Sequence, residues 1–102
     1  RCDLITVNGR LDSSTAPKLT DALNAVTDDG RYRIIIDFAG LDFISSAGLR
    51  ALISTQKICK RYNRGEVILS NIPANICASL ELAGLTPLFK IFTDTTSAVG
   101  NF

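Results

Sequence analysis

Two adjacent hydroxyls sit where a buried strand should pass into a helix: Ser45 and Ser46, in the run Asp42-Phe43-Ile44-Ser45-Ser46-Ala47-Gly48-Leu49. The first four N–H groups of a helix have no partner inside it, so a serine oxygen placed there can cap the helix. A cap accounts for one serine, not for two. An accessible hydroxyl at a helix N-terminus is also favourable ground for a phosphate, because free N–H groups and the helix dipole stabilise an anion. The small neighbours Ala47 and Gly48 leave such a hydroxyl open to a visitor, at the sheet edge where α/β proteins place their sites. A second constellation is Gly9-Arg10-Leu11-Asp12-Ser13-Ser14. It is expected at the same edge, where Asp12 either approaches the serines or, as a plain loop carboxylate, caps the next helix.

Other chemistries lack their parts. The 102 residues contain no His, which removes the commonest general base, the usual metal ligand and the His-dependent triads. Ser45 and Ser46 belong to no GxSxG elbow and no SxxK pattern, so no catalytic residue is assigned. Asp12 and Asp42 supply too few ligands for a metal. The glycines form neither GxGxxG nor a Walker A loop, so no nucleotide or other cofactor is expected. Cys2, Cys59 and Cys77 form no CxxC pair and leave one thiol over in any disulfide scheme. They read as small free thiols of a reducing cytosol, with Cys59 and Cys77 on apolar helix faces.

A net charge of +1 argues against a nucleic-acid binder, which needs a surplus of Lys and Arg. The one basic stretch, Lys57 to Arg64, reads as cations favoured by the dipole at a helix C-terminus. No apolar run approaches the length needed to span a bilayer, so no membrane is expected for the isolated domain.

The elements that must hold the serines follow from pattern. Asp3 to Asn8 alternates as a strand, and Gly9 and the polar run 12–15 break it. A helix starts near Pro17, with Leu19, Ala22, Leu23 and Val26 inward, and stops at Asp28-Asp29-Gly30. Arg33 to Phe38 is nearly continuous in apolar, β-branched residues, the pattern of a central parallel strand covered on both faces. Residues 40–46 form a connection. A helix from Gly48 to Tyr62 buries Leu49, Leu52, Ile53 and Cys59. Glu66 to Ser70 is a strand. Asn71-Ile72-Pro73 opens a helix with Ile76, Cys77, Leu80 and Ala83 inward, closed by Gly84 and Leu85. Leu88 to Phe92 is a last strand, and Asp94-Thr95 caps a short helix through Val99. This alternation predicts an α/β fold: a small, mainly parallel (or mixed) sheet flanked by about four helices in one domain over residues 1–102.

The segments GRLDSSTAPKL, IIIDFAGLDFISSAGLRAL and LELAGLTPLFKIF together resemble the STAS domain, specifically the stand-alone anti-sigma factor antagonist type. The resemblance spans nearly the whole chain. Members carry one more strand before the position of Leu4, which implies a trimmed N-terminus here. The resemblance implies a non-enzymatic, cytoplasmic binding module. Its unphosphorylated form binds an anti-sigma factor that is also a serine kinase and so frees the sigma factor; a serine phosphatase resets the cycle. The family motif Asp-Ser-Ser-Gly falls on Ser45-Ser46-Ala47-Gly48. The phosphoacceptor is then Ser46, with Ser45 second, and the family's loop Asp falls on Asp12. Ser13, Ser45, Ala47, Gly48 and Leu49 join Asp12 as partner-binding or supporting residues. The alternative is a STAS regulatory domain of an anion transporter, a lipid-transport system or a signalling scaffold.

Overall fold

The computed structural model describes residues 2–61 and 64–102. Along the chain run β1 (Asp3–Leu11), α1 (Ala16–Asp28), β2 (Arg33–Ile44), α2 (Ser46–Lys60), β3 (Glu66–Ser70), α3 (Ala74–Leu82), β4 (Lys90–Phe92) and α4 (Thr95–Gly100). The strands lie in the order β1-β2-β3-β4, and every pairing is parallel. Right-handed crossovers that all advance in one direction put α1, α2 and α3 on the same face. Burial agrees with this. Ile34, Ile36 and Phe38 of β2 share one core with Leu19 and Leu23 of α1, Leu52 and Cys59 of α2, and Ile76 and Leu80 of α3. Ile35 and Ile68 point to the opposite face, where Ala98 of α4, Phe92 and Phe102 cover them. The unbroken Ile34-Ile35-Ile36 run therefore reflects a strand buried on both sides, as its pattern predicts.

Several boundaries and faces differ from the sequence reading. β1 does not stop at Gly9. Gly9 takes φ +78° beside a register shift, and pairing resumes at Arg10 opposite Phe43 and Leu11 opposite Ile44. The extra residue of that shift is Asp42 on β2, while the positive φ at Gly9 suits a residue without a Cβ. β2 likewise continues through residues expected to be a connection, because 40–44 find a partner in the end of β1. Ala22 and Ala83 are exposed rather than inward, and Cys77 is half-buried; Ala83 already lies beyond the last residue of α3. β4 begins at Lys90, not Leu88, because Thr86–Leu88 winds into a 3₁₀ turn whose Pro87 is preset for helical φ. The expected end of the second helix at Tyr62 lies outside the described residues.

The inner face of α2 is the most instructive difference. Leu49 and Ile53 are only half-buried. The buried positions are Gly48, Ala51, Leu52, Thr55, Gln56 and Cys59, a regular i, i+3, i+4, i+7, i+8, i+11 stripe. Small residues near the N-terminal end let the helix approach the sheet closely. Gln56, 5% exposed, fits because its amide is fully engaged: Val67 N–H donates to its Oε1 at 2.6 Å, and its Nε2 donates to Val67 O at 3.2 Å and Leu88 O at 2.6 Å. β4 pairs with β3 only from Ile68 onward. The glutamine amide thus takes the place of the strand that Val67 lacks on that side.

Two helix starts are capped by side chains, and two helix ends are turned by glycines, Gly30 at φ +80° after α1 among them. Gly84 at φ +72° turns the chain after α3, and Leu85 N donates to Leu80 O at 2.9 Å, the longer bond of a Schellman closure. Asp94 Oδ1 accepts from Ser97 N at 2.7 Å and caps α4. All three cysteines are free, and burial pushes the Cys59 thiol up to about 11. Since the thiolate is the reactive form, an aromatic disulfide reagent at pH 8 is expected to label Cys2 and Cys77 in the native protein. Cys59 should follow only after unfolding; native labelling of three thiols at equal rates would contradict this burial.

Candidate functional site

The serine junction lies at the C-terminal edge of the sheet, where β2 hands over to α2. Ser45 is extended (φ −97°, ψ 174°) and is the N-cap: its Oγ accepts from Gly48 N at 3.4 Å. Its own N–H donates to Leu11 O at 2.8 Å, which ties the junction to the end of β1. Ser46 is the first helical residue and is exposed. With Ser45 occupying the cap, the Ser46 hydroxyl is left at the surface. The first turn of α2 carries no acidic residue, so no carboxylate in that turn opposes an anion there. Arg50 follows Ser46 by four residues, one turn along the same helical face.

Gly48 is small for a reason other than access. A Cβ at this position would sit 2.8 Å from Leu11 Cγ and 3.0 Å from Ile44 Cγ1. The glycine lets the helix start pack onto the ends of β1 and β2, and it is buried. It supports the serines from below, while Ala47 and Leu49 flank them half-buried.

The Asp12 loop lies beside this junction, as expected from the topology, through the Leu11–Ser45 backbone bond. Its carboxylate, however, serves its own loop. Asp12 Oδ1 accepts from Ser14 N at 3.0 Å, Ser14 Oγ at 2.7 Å and Thr15 N at 3.2 Å. Thr15 Oγ1 donates to Arg10 O at 2.7 Å and accepts from Asp12 N at 2.9 Å. The loop is therefore wound tightly into the start of α1, with Ser13 exposed on it. The sequence reading missed Arg10 and Phe43. They face each other across β1 and β2, with the guanidinium 4.3 Å from the centre of the phenyl ring and 3.8 Å from Asp12 Oδ2. Their pairing was invisible without the register, which shifts between Gly9 and Arg10 where β2 carries the extra residue Asp42.

Hydrogen bonds from Ser14, then Thr15, hold the Asp12 carboxyl below its ordinary value of 3.8. A carboxylate with a lowered folded-state pKa contributes stability above its unfolded-state value, and that contribution is lost as pH falls through the lowered value. Carbon-detected NMR titration is expected to give an Asp12 midpoint below 3.8, and Ser14→Ala should move it upward. A wild-type midpoint at or above 3.8 would show that the loop is not closed in this way.

Residues 1–98 match the family model of the STAS domain, and the chain belongs to that family. Among its curated relatives, the candidate anti-sigma factor antagonist BtrV of Bordetella bronchiseptica is 29% identical over 96 residues, covering 94% of this chain and 82% of BtrV. The anti-sigma-F factor antagonist RsfB of Mycobacterium tuberculosis is 27% identical over 97 residues, covering 94% of this chain and 77% of RsfB. The Bacillus protein SpoIIAA in its unphosphorylated form shares the fold, with a TM-score of 0.83 at 18% identity over 99% of this chain and 88% of that one. Its phosphorylated form superposes with a TM-score of 0.74 at 19% identity, over 96% and 87%. The homologues are thus anti-sigma factor antagonists along the whole chain, a class of non-enzymatic regulators. Among the described residues, no helix is long and apolar enough to cross a membrane.

Proposed function

We propose that residues 1–102 act as one domain, an anti-sigma factor antagonist that binds an anti-sigma factor with serine kinase activity and is switched off by phosphorylation of Ser46. The observation that carries this reading is the division of labour between the two serines. Ser45 is spent on the cap, and Ser46 stands exposed at the first position of a 15-residue helix. The existence of SpoIIAA in unphosphorylated and phosphorylated forms supports a covalent switch on this fold.

The mechanism is local. Unmodified, Ser46, Ala47, Leu49 and the Asp12–Ser13 loop offer a small, nearly neutral surface to the partner. Transfer from ATP forms a bond between Ser46 Oγ and the γ-phosphorus and breaks the bond to the ADP oxygen; the serine proton leaves through the kinase's base. The product carries roughly −1.5 to −2 charges. The positive end of α2 can hold that charge within the domain, so the fold need not change. At the interface the same dianion adds bulk and must be desolvated. A serine phosphatase restores the hydroxyl. Asp12 keeps the neighbouring loop in one conformation, so partner recognition depends on it indirectly.

Incubation with ATP and the anti-sigma factor kinases of the same genome, followed by mass spectrometry, tests the reading. One phosphate on Ser46 is expected, with none on Ser46→Ala, which should stay captured by the partner. Phosphate on Ser45 instead, or capture of the phosphorylated form as efficient as the unmodified one, would overturn it.

A further inference from the structure

At the end of α2 away from the serines lies a groove of about 220 Å³ lined by Ile53, Gln56, Lys57, Lys60, Pro87 and Leu88. One wall is α2 and the other is the 3₁₀ turn Thr86–Leu88. The walls are held in place before any ligand arrives, because Gln56 Nε2 donates to Leu88 O at 2.6 Å while the same amide is locked onto Val67. Ile53 is half-buried and Leu88 is 43% exposed, so the groove presents apolar side chains that are left open among the described residues. Lys57 and Lys60 stand exposed beside them. All ten Asp and Glu residues of the chain are among the described residues, and neither lysine forms an ion pair with any of them.

We propose that this groove is a second docking site, which takes a short acidic amphipathic segment of another protein: one or two apolar side chains enter between Ile53 and Leu88, and flanking carboxylates meet Lys57 and Lys60. The helix dipole explains why lysines are tolerated here but not why they border an apolar, preformed groove. Charge and shape select the occupant. A second copy of this chain in a two-fold interface would bring the same lysines against each other. A bilayer surface is too flat to fill a concavity held open by Gln56. An amphipathic helix supplies apolar anchors at i and i+4 with acids between them, which is the helix-in-groove mode. Lys57 is eleven residues from Ser46 along α2, about 16 Å at 1.5 Å per residue. The second site is therefore independent of the phosphorylation switch, and a partner could occupy both or either.

The probe is a labelled peptide of about 14 residues, roughly four helical turns, with Leu along one face and Glu at the positions flanking it. Fluorescence anisotropy and amide NMR shifts are recorded for the full chain, with circular dichroism as a check that each variant is folded. Saturable binding is expected, with shifts confined to residues 53–60 and 86–89. Lys57→Glu with Lys60→Glu, and separately Leu88→Ser, should each weaken it by about tenfold or more, while Ser46→Asp leaves it unchanged. The proposal is overturned if the peptide does not bind at millimolar concentration, or if a scrambled or Lys-for-Glu peptide binds as well. It is equally overturned if the protein sediments with phosphatidylglycerol vesicles and the peptide does not compete, or if Ser46→Asp weakens the peptide as much as the charge reversal does.

Discussion

Replacing Gln56 by alanine is expected to destabilise the fold by about 3–5 kcal/mol, more than any surface change, because it strands several buried backbone groups at once. The wild-type amide satisfies Val67 N–H, Val67 O and Leu88 O. A buried unsatisfied donor or acceptor costs roughly 1–3 kcal/mol, and the cavity adds to that. Water entering beside the exposed Leu88 would recover part of the loss at that carbonyl but not at Val67, which is fully buried. For a domain of this size each kcal/mol lowers Tm by about 4–8 °C, so a fall of about 12–40 °C is predicted. Gln56→Glu should recover little, since it keeps one acceptor and puts a charge where a donor is needed. Differential scanning calorimetry decides the matter. A Tm change of only a degree or two would mean that Val67 finds another partner and that the glutamine does not stand in for a strand.

The second large effect is on binding. Ser46→Asp is expected to weaken the anti-sigma factor complex about hundredfold or more, which corresponds to about 2.8 kcal/mol, with Tm essentially unchanged. The two halves of this expectation have separate causes. The residue is exposed and opens α2, and a negative charge at a helix N-terminus is favourable, so the domain itself tolerates Asp well. In the complex proposed above, the partner's surface must instead meet a charge in place of a hydroxyl, and desolvating that charge falls wholly on the complex. Aspartate carries only part of the charge of a phosphoserine, so the phosphorylated protein should bind more weakly still. Isothermal titration of wild type, Ser46→Ala and Ser46→Asp against the partner reads the difference. Affinities within about threefold of one another would remove the physical basis of the switch.

The parts of this protein that depend on local chemistry were readable in its residues. Alternating apolar runs and capping residues identify four strands and four helices in the right order. Ile34 to Ile36 identify the central strand, because only a strand covered on both faces buries consecutive residues. Gly84 with Leu85 marks a helix end, and Asp94 marks a helix start. The hydroxyl pair at 45–46 marks the candidate site proposed above, since a cap needs one serine and a second is surplus.

Tertiary structure decided the rest. Which face of α2 turns inward depended on how near the sheet lies, and so Gly48, Ala51 and Gln56 are buried ahead of Ile53 and Leu49. A hydrophobicity pattern carries no information about approach distance. That Val67 lacks a neighbouring strand, and that a glutamine amide fills the gap, depends on where β4 begins. The pairing of Arg10 with Phe43 and the extra length of β2 rest on a register that shifts where β2 carries the extra residue Asp42. Hydroxyl placement, helix order and strand character are local and belong to the chain as written, whereas register, packing distance and the partners of buried polar groups arise only when segments distant in the chain meet.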